Sequence, residues 1–312
     1  MGGGLLGRLL LPGTGGTTAA AAAVKAASET TGPDGNLWFT DDFGGFHTCQ
    51  IGRMTLTGTV TKFDVPACNA VFGITAGPDG NVWFTVAEGD QIGRITPNGT
   101  ITTFGDDFIV HNPIGITTGP DGNLWWPEFN GYFGPRIGHI TPTGTITYSD
   151  EIVGYSDSHL WGITAGPDGN LWFTDIVGSR IGKITTSGVI TIYTAGLSVG
   201  VEPRGITAGP DGNVWFTESN GDQIGRITPN GTITEFGVGI TPGAVPNGIV
   251  AGPDGNLWFT ESTGNRIGRI TTGVQGSPIV VPTLGYWALC LLVLLILFVF
   301  YGTSRKKRTE PS

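Results

Sequence analysis

The sequence has few charged side chains and few that contain sulfur: 13% of its 312 residues are charged, and it has three Cys and two Met. Basic residues are less frequent than acidic ones: the chain has 16 Lys and Arg against 25 Asp and Glu, which gives a formal net charge of −9. Nucleic acids and anionic lipid surfaces require a basic footprint that this composition does not supply. We therefore expect no nucleic-acid partner.

Glycine, proline and aromatic residues are abundant by contrast. The chain contains 54 Gly, 20 Pro, nine Trp and sixteen Phe, and 39% of its residues are apolar. That apolar fraction excludes a disordered chain, because disorder requires low hydrophobicity. The combination of glycine, proline and large apolar side chains is typical of many short strands joined by tight turns.

A five-residue motif, Gly-Pro-Asp-Gly-Asn, occurs six times along the chain. The copies begin at Gly32, Gly77, Gly119, Gly166, Gly209 and Gly252, at steps of 45, 42, 47, 43 and 43 residues. A period in the low forties matches a four-stranded propeller blade and is too long for the common helical or leucine-rich repeats. Pro, Asp and Gly are the residues that tight turns need, so we interpret the motif as a turn and not as a calcium or phosphate loop.

Each copy carries strand patterns in the same order, and the fifth copy shows it best. Residues 205–208 read as a short inner strand, 214–217 as an apolar second strand, 223–228 as an alternating third strand and 232–236 as an outer strand. Asn230-Gly231 between the last two is a strong hairpin signal. The six copies predict an all-β fold, a β-propeller of four-stranded blades over residues 24–273.

The sixth copy ends without a recognisable outer strand after Thr271. We therefore expect six blades with imperfect closure. The alternative is seven blades, one of them incomplete.

Residues 1–23 are rich in Gly, Ala and Thr with a short leucine stretch, which makes them a weak signal-peptide candidate. A misplaced start codon or a truncated gene explains this N-terminal sequence equally well.

A long uncharged segment lies near the C-terminus. Residues 274–278 read as a linker, and 279–301 contain no charged residue, long enough for a transmembrane helix. Basic residues 305–308 follow within the tail 302–312, and the positive-inside rule places that tail in the cytoplasm. The expected location is the membrane, with the propeller on the extracytoplasmic side.

Of the three cysteines, Cys290 belongs to the apolar segment, whereas Cys49 and Cys68 are nineteen residues apart in the first repeat. Their spacing matches no zinc pattern. In an oxidising compartment they would form one disulfide, and two free buried thiols are the alternative.

Loops that enter the inner strands and leave the second strands converge on one face of a propeller, where ligands usually bind. The residues that enter the inner strands are Phe72, Ile114, Trp161, Arg204 and Asn247. The residues that leave the second strands are Asp41, Glu128, Asp175, Glu218 and Glu261.

Five carboxylates at equivalent places would surround the channel and hold Mg²⁺ or Ca²⁺, which take oxygen ligands. Solvated loop ends repeated by duplication are the alternative. Aromatic residues near the channel, Trp161, Phe72 and Trp126, favour a small-molecule, peptide or glycan ligand, although core packing accounts for most of the tryptophans.

The blade consensus, Gly-Ile-Thr-Ala-Gly-Pro-Asp-Gly-Asn-Leu-Trp-Phe-Thr-Glu followed by Arg-Ile-Gly-Arg-Ile-Thr-Pro-Asn-Gly-Thr, closely resembles the virginiamycin B lyase (streptogramin lyase) family over about residues 24–273. The resemblance implies a seven-bladed propeller that opens a cyclic depsipeptide antibiotic by Mg²⁺-assisted elimination, a carbon–oxygen lyase reaction. It also implies a His base in a Glu-Pro-His-Gly-Ile setting and carboxylate metal ligands.

This chain departs from that pattern at the base, because it reads Glu202-Pro203-Arg204-Gly205-Ile206. Glu202 matches the family's metal-binding Glu, and an active lyase would need Mg²⁺ at Glu202 and Glu218, but Arg204 occupies the place of the His. Arg stays protonated and cannot abstract a proton, whereas His can. His111 and His159 lie nearby but out of register, and an active Mg²⁺-dependent lyase would need His159 or another residue as base.

Three hypotheses follow. The leading one is a binding or surface module with a degenerate lyase site, and the alternatives are an active lyase and a structural envelope module.

Residues 281–287, Val-Pro-Thr-Leu-Gly-Tyr-Trp, with the apolar and basic segments after them, resemble the bacterial IPTL-type C-terminal sorting signal. That resemblance implies export and a sorting enzyme as partner, leaving the mature protein at the cell surface or released.

Overall fold

The computed structural model describes residues 26–42, 49–105, 110–129, 134–149, 152, 158–272 and 279–280. These residues form six four-stranded antiparallel sheets, each a meander of sequential strands, arranged as the blades of a propeller. The all-β fold and the expected count of six blades are confirmed.

Blades 1 to 3 cover the first half of the chain. Blade 1 contains β1 Ala26–Thr31, β2 Leu37–Asp42, β3 Cys49–Met54 and β4 Val60–Asp64. Blade 2 contains β5 Val71–Ala76, β6 Val82–Val86, β7 Gln91–Ile95 and β8 Ile101–Phe104, with a short 3₁₀ helix at Ala87–Gly89. Blade 3 contains β9 Thr117–Thr118, β10 Leu124–Pro127, β11 Ile137–Ile140 and β12 Ile146–Tyr148.

Blades 4 to 6 follow in the same order. Blade 4 contains β13 Leu160–Ala165, β14 Leu171–Asp175, β15 Arg180–Ile184 and β16 Ile190–Tyr193. Blade 5 contains β17 Pro203–Ala208, β18 Val214–Glu218, β19 Gln223–Ile227 and β20 Ile233–Phe236. Blade 6 contains β21 Pro246–Ala251, β22 Asn256–Glu261, β23 Arg266–Thr271 and β24 Ile279–Val280.

The repeated turn is built around its Asp. In blade 5, the Asp211 carboxylate accepts hydrogen bonds from the Asn213 amide at 3.2 Å and from Trp215 Nε1 at 3.0 Å. Gly212 takes φ +76°, a conformation that glycine adopts without steric cost. The carboxylate thus closes the turn and fixes the tryptophan that follows, which confirms the interpretation as turn chemistry.

Neighbouring blades pack through apolar faces. Trp172 and Ile181 of blade 4 are fully buried against Val214, Phe216 and Ile227 of blade 5. A threonine in the second strand adds a polar link: the Thr217 hydroxyl accepts from the Gly205 amide at 2.9 Å and donates to the Asn247 carbonyl of the next blade at 2.7 Å. Each link holds an inner strand in place at the channel.

Blade 6 contradicts the prediction that the sixth repeat has no outer strand. Instead of lacking an outer strand, it acquires β24, whose Ile279 and Val280 pair with Arg269 and Gly268 of β23. These two residues open the predicted transmembrane segment, and residues 281–312, which contain the rest of that segment and the predicted sorting signal, lie outside the described ones. Within the described ranges, no helix is long and apolar enough to cross a membrane.

Candidate functional site

One end of each blade brings together the start of the inner strand and the end of the second strand. Pro203 pairs with Glu218 in blade 5, and Leu160 pairs with Asp175 in blade 4. The register then shifts before Ile206, so Arg204 lies on a β-bulge. Bulges re-aim side chains next to binding sites, and the same irregularity precedes the inner-strand isoleucine in blades 2, 4 and 6.

An aromatic cluster lies at this end, consisting of Phe72, Phe129, His159, Trp161 and Arg204. The Trp161 ring lies 6.3 Å from Phe72 and 5.7 Å from Phe129, both edge-on, and Phe129 lies 4.6 Å from the His159 ring. The Arg204 guanidinium lies 5.7 Å from the Trp161 centroid, within cation–π distance. Because Phe72 and Trp161 belong to blades 2 and 4, the cluster spans the channel between non-adjacent blades.

Three other residues considered near the channel, Trp126, Ile114 and Asn247, differ in exposure. Trp126 is fully buried between blades, edge-on to Tyr148 at 5.9 Å and in the same apolar cluster as Trp83, so it belongs to the core, as expected for most of the tryptophans. Ile114 is also buried, at 6% exposure, whereas Asn247 is partly exposed at its inner-strand position. Phe129, which the sequence reasoning missed, follows the second strand of blade 3 directly.

The five second-strand carboxylates lie inside the blades, each at most 2% exposed. Three of them have a cation of their own blade: Asp41 lies 2.5 Å from Lys62, Glu128 lies 2.6 Å from Arg136 and Asp175 lies 3.2 Å from Arg180. Buried charges need such partners. The carboxylates therefore serve blade packing, and they do not form a solvated ring around the channel.

Glu218 and Glu261 differ from those three, because neither has an ion pair among the described residues, and none of their carboxylate oxygens has a hydrogen-bond partner there. Burial raises the pKa of Glu218 to about 8, and the negative charge of Glu235 adds to the rise. The place that Arg180 fills in blade 4 is taken by Gln223 in blade 5, opposite Glu218. Glu218 is therefore mostly protonated at neutral pH.

Glu202 and Arg204 form an ion pair, with Nη2 of Arg204 3.1 Å from Oε2 of Glu202. Both side chains are partly exposed, at 40% and 30%, and Glu202 adopts φ +51°. The guanidinium thus occupies the position beside Glu202 where a cation would bind. Across the described ranges, no group of three or more His, Cys, Asp or Glu side chains is placed to hold a metal ion.

These residues do not fit a catalytic Mg²⁺ centre. Glu202 is already neutralised by Arg204, and Glu218 is buried and mostly protonated at neutral pH. A hard divalent cation binds ionised oxygen ligands. To bind one, Glu202 would have to release Arg204, and Glu218 would have to lose its proton.

The two candidate histidines both lie beside second-strand carboxylates. The His159 backbone amide donates to Asp175 Oδ1 at 3.1 Å, and the His111 amide donates to Glu128 Oε1 at 2.9 Å. Of these two histidines, only His159 has its ring in the aromatic cluster.

Away from this site, Cys49 and Cys68 form a disulfide with a Cα separation of 5.9 Å, which ties the third strand of blade 1 to the loop before blade 2.

Comparison with known proteins identifies close relatives. The sequence profile of the Virginiamycin B lyase family matches residues 3–195 and 107–285. The crystal structure of virginiamycin B lyase from Staphylococcus aureus is 38% identical with a TM-score of 0.75, over 84% of this chain and 85% of that one. No match was found among curated protein sequences.

Two further structures are similar. A catalytically inactive histidine-to-alanine variant of the S. aureus lyase, with quinupristin, is 38% identical with a TM-score of 0.74, over 82% of this chain and 84% of that one. A streptogramin B lyase is 34% identical with a TM-score of 0.74, over 83% of each chain.

Proposed function

The chain belongs to the virginiamycin B lyase family, and we propose that it is a binding module of that family whose lyase chemistry has been lost. The observation that carries the proposal is the Arg204–Glu202 ion pair beneath Trp161. A permanently protonated guanidinium cannot take a proton from a substrate. It also neutralises the carboxylate that a metal would need.

The same residues supply what a binding site requires. The rings of the aromatic cluster offer partly exposed apolar surface from three blades, and Arg204, Glu202 and Asn247 offer polar groups around it. Ligand sites combine such apolar lining with a few fixed polar groups. Small molecules, peptides and glycans with an apolar face are therefore the ligand classes we propose.

The location is proposed on the sequence of the C-terminus. The uncharged segment 279–301 and the basic tail favour an exported propeller held at the membrane, or recognised there by a sorting enzyme and then displayed or released. The Cys49–Cys68 disulfide supports an oxidising compartment for the propeller.

The direct test is incubation of the full-length protein with quinupristin, with Mg²⁺ or with chelator, followed by mass spectrometry of the ring. We expect binding without ring opening. Metal-dependent ring opening by the wild-type protein would overturn the proposal. Ring opening by Arg204→His alone would support it, because that variant frees Glu202 and restores a titratable base.

Binding itself is measured by tryptophan fluorescence titration with quinupristin, with short peptides and with oligosaccharides. Trp161→Ala removes the centre of the aromatic cluster, and we expect it to weaken binding at least tenfold. Val189→Ala is the matched control, because Val189 is 63% exposed at the opposite end of the same blade. Equal affinity of both variants, or no ligand for a folded protein, would favour a structural module instead.

A further inference from the structure

The mouth of the channel has an apolar side and a polar side. The aligned inner-strand position is apolar in three consecutive blades and polar in the next two, with Phe72, Ile114, Trp161, Arg204 and Asn247 in blades 2 to 6. Phe129, after the second strand of blade 3, adds a further ring to the apolar side. A ligand that contacts both sides therefore needs an apolar part next to a polar part.

The backbone of the polar side is held by hydrogen bonds from the neighbouring blades. The Thr174 hydroxyl donates to the Arg204 carbonyl at 2.8 Å, and the Thr217 hydroxyl donates to the Asn247 carbonyl at 2.7 Å. The inner strands of blades 5 and 6 also approach closely, because a Cβ added at Gly205 would clash with the Asn247 carbonyl oxygen. Arg204 and Asn247 thus lie side by side on a fixed backbone, which lowers the entropy cost of binding.

The polar side has hydrogen-bond donors to spare. A guanidinium carries five N–H groups, and within the described residues only Nη2 of Arg204 donates a hydrogen bond, to Glu202 at 3.1 Å. Arg53 and Arg94 also lie on tryptophan rings, but each of them donates to a proline carbonyl of the next blade. The Asn247 side-chain amide makes no hydrogen bond to any described residue, so it offers another N–H donor beside the guanidinium.

The charges around Arg204 leave room for an anion. Glu218, in the same blade, is mostly protonated at neutral pH, and Asp175 of blade 4 is already paired with Arg180. Glu202 is 40% exposed, and exposed ion pairs contribute little stability. A second carboxylate can therefore share Arg204 with Glu202, or replace Glu202, at small cost.

We propose that this mouth binds a carboxylate joined by a short chain to an aromatic or large aliphatic group, as in a small aromatic acid or the last residue of a peptide. Arg204 and Asn247 hold the carboxylate, and Trp161 and Phe129 pack against the apolar group. The inference rests on the proposed function, because it names the ligand class of the same site. It does not follow from the family resemblance, since Arg204 replaces the histidine of the family pattern.

The distances between the groups suit such a ligand. The Arg204 guanidinium and the Phe129 ring each lie 5.7 Å from the centre of the Trp161 ring. Phe72 and Phe129 meet Trp161 at interplanar angles of 76° and 73°, so the three rings do not form one flat stack. An apolar group held among these rings is adjacent to the guanidinium, and only a short chain separates it from a bound carboxylate.

The test compares ligands of nearly the same shape that differ in charge. Isothermal titration calorimetry of the full-length protein measures the affinity for N-acetylphenylalanine and for its primary amide. We expect the acid to bind about tenfold more tightly than the amide, because only the acid makes hydrogen bonds to Arg204 in which both partners are charged. Titrations with phenylacetate and with the peptide Ala-Ala-Phe then show which source is preferred, a small acid or a peptide end.

Three substitutions assign the effect to its residues. Arg204→Gln should lower the affinity for the acid to that for the amide and change the amide affinity little. Glu202→Gln removes the competing carboxylate, so we expect the acid to bind about threefold more tightly. Arg226→Gln is the matched control, because it removes the same charge from a tryptophan ring, 5.5 Å from Trp215 near the opposite end of blade 5. It should leave both affinities unchanged.

Three results would each overturn the inference: equal affinities of the wild-type protein for acid and amide, binding of neither, or a preference for the acid that persists in Arg204→Gln. Weaker binding of the acid to Glu202→Gln would also overturn it, because that variant retains Arg204 and loses only a competitor. None of these results decides the proposed function. Ring opening of quinupristin and the wider ligand titration decide that, so the two failures are distinguishable.

Discussion

The unpaired carboxyl of Glu218 makes the stability of the propeller depend on pH in a defined direction. Its pKa is about 8 in the folded protein, against an ordinary value of 4.5. The folded protein therefore holds the proton between these two values, while the unfolded chain releases it. The free energy of unfolding falls as pH rises through this window, by about 1.4 kcal/mol per pH unit from this one group.

Substitution Glu218→Gln removes the titrating group and nearly keeps the shape of the side chain. Since the side chain is fully buried, solvent does not screen the effect. We expect the stability of the variant relative to wild type to increase by roughly 3 kcal/mol between pH 5 and pH 7. Urea unfolding followed by tryptophan fluorescence at several pH values measures the difference.

A second substitution tests the physical cause. Gln223→Arg supplies the cation that Arg180 supplies in blade 4, which should lower the pKa of Glu218 and flatten the pH dependence. Gln91→Arg is the matched control, because Gln91 pairs with Val86 in blade 2 and finds no carboxylate there. Parallel stability curves for wild type, Glu218→Gln and Gln223→Arg would refute the reasoning.

Two further predictions concern the links within the ring. Thr217→Val should reduce the free energy of unfolding by about 1–3 kcal/mol, because the Gly205 amide and the Asn247 carbonyl both lose a partner. Thr260→Val should cost less, since Thr260 donates to no next-blade carbonyl among the described residues. Urea unfolding of the two variants compares them. Loss of the Cys49–Cys68 disulfide in Cys68→Ala should cost about 3 kcal/mol by loop entropy. The wild-type protein should lose as much when a reductant is added, and the variant should not respond to it.

Much of the fold could be predicted because each blade repeats its local signals. The turn motif combines a proline, a glycine at positive φ and an aspartate that caps the turn, so it reports the structure of its own five residues. The outer strand of blade 6 was missed for a related reason. The residues before Ile279 and Val280 lack the Thr-x-x-Gly turn that precedes the outer strand of the other blades, and the composition of these two residues merges with the apolar segment that follows.

The predictions at the candidate site were less accurate because they concerned contacts between blades. Trp126 was considered both as a channel residue and as a core residue, and it lies in the core because it occupies the position of Phe84, Phe173 and Phe216, which all face the preceding blade. Comparison of the repeats alone would have found this. Phe129 carried no signal, because it follows the second strand and belongs to no repeated position.

The sequence by itself determined the repeat, the blade length, the turn chemistry and the replacement of a family histidine by Arg204, since all of these depend on residues close together in the chain. Only the tertiary structure decided that Glu202 pairs with Arg204 beneath Trp161, and that, among the described residues, three of the five equivalent carboxylates have a cation and Glu218 has none. Burial and distance set the charge state of a carboxyl group, and neither quantity is encoded in a single strand. They arise when strands from different parts of a blade, and blades from different parts of the chain, exclude water from one another.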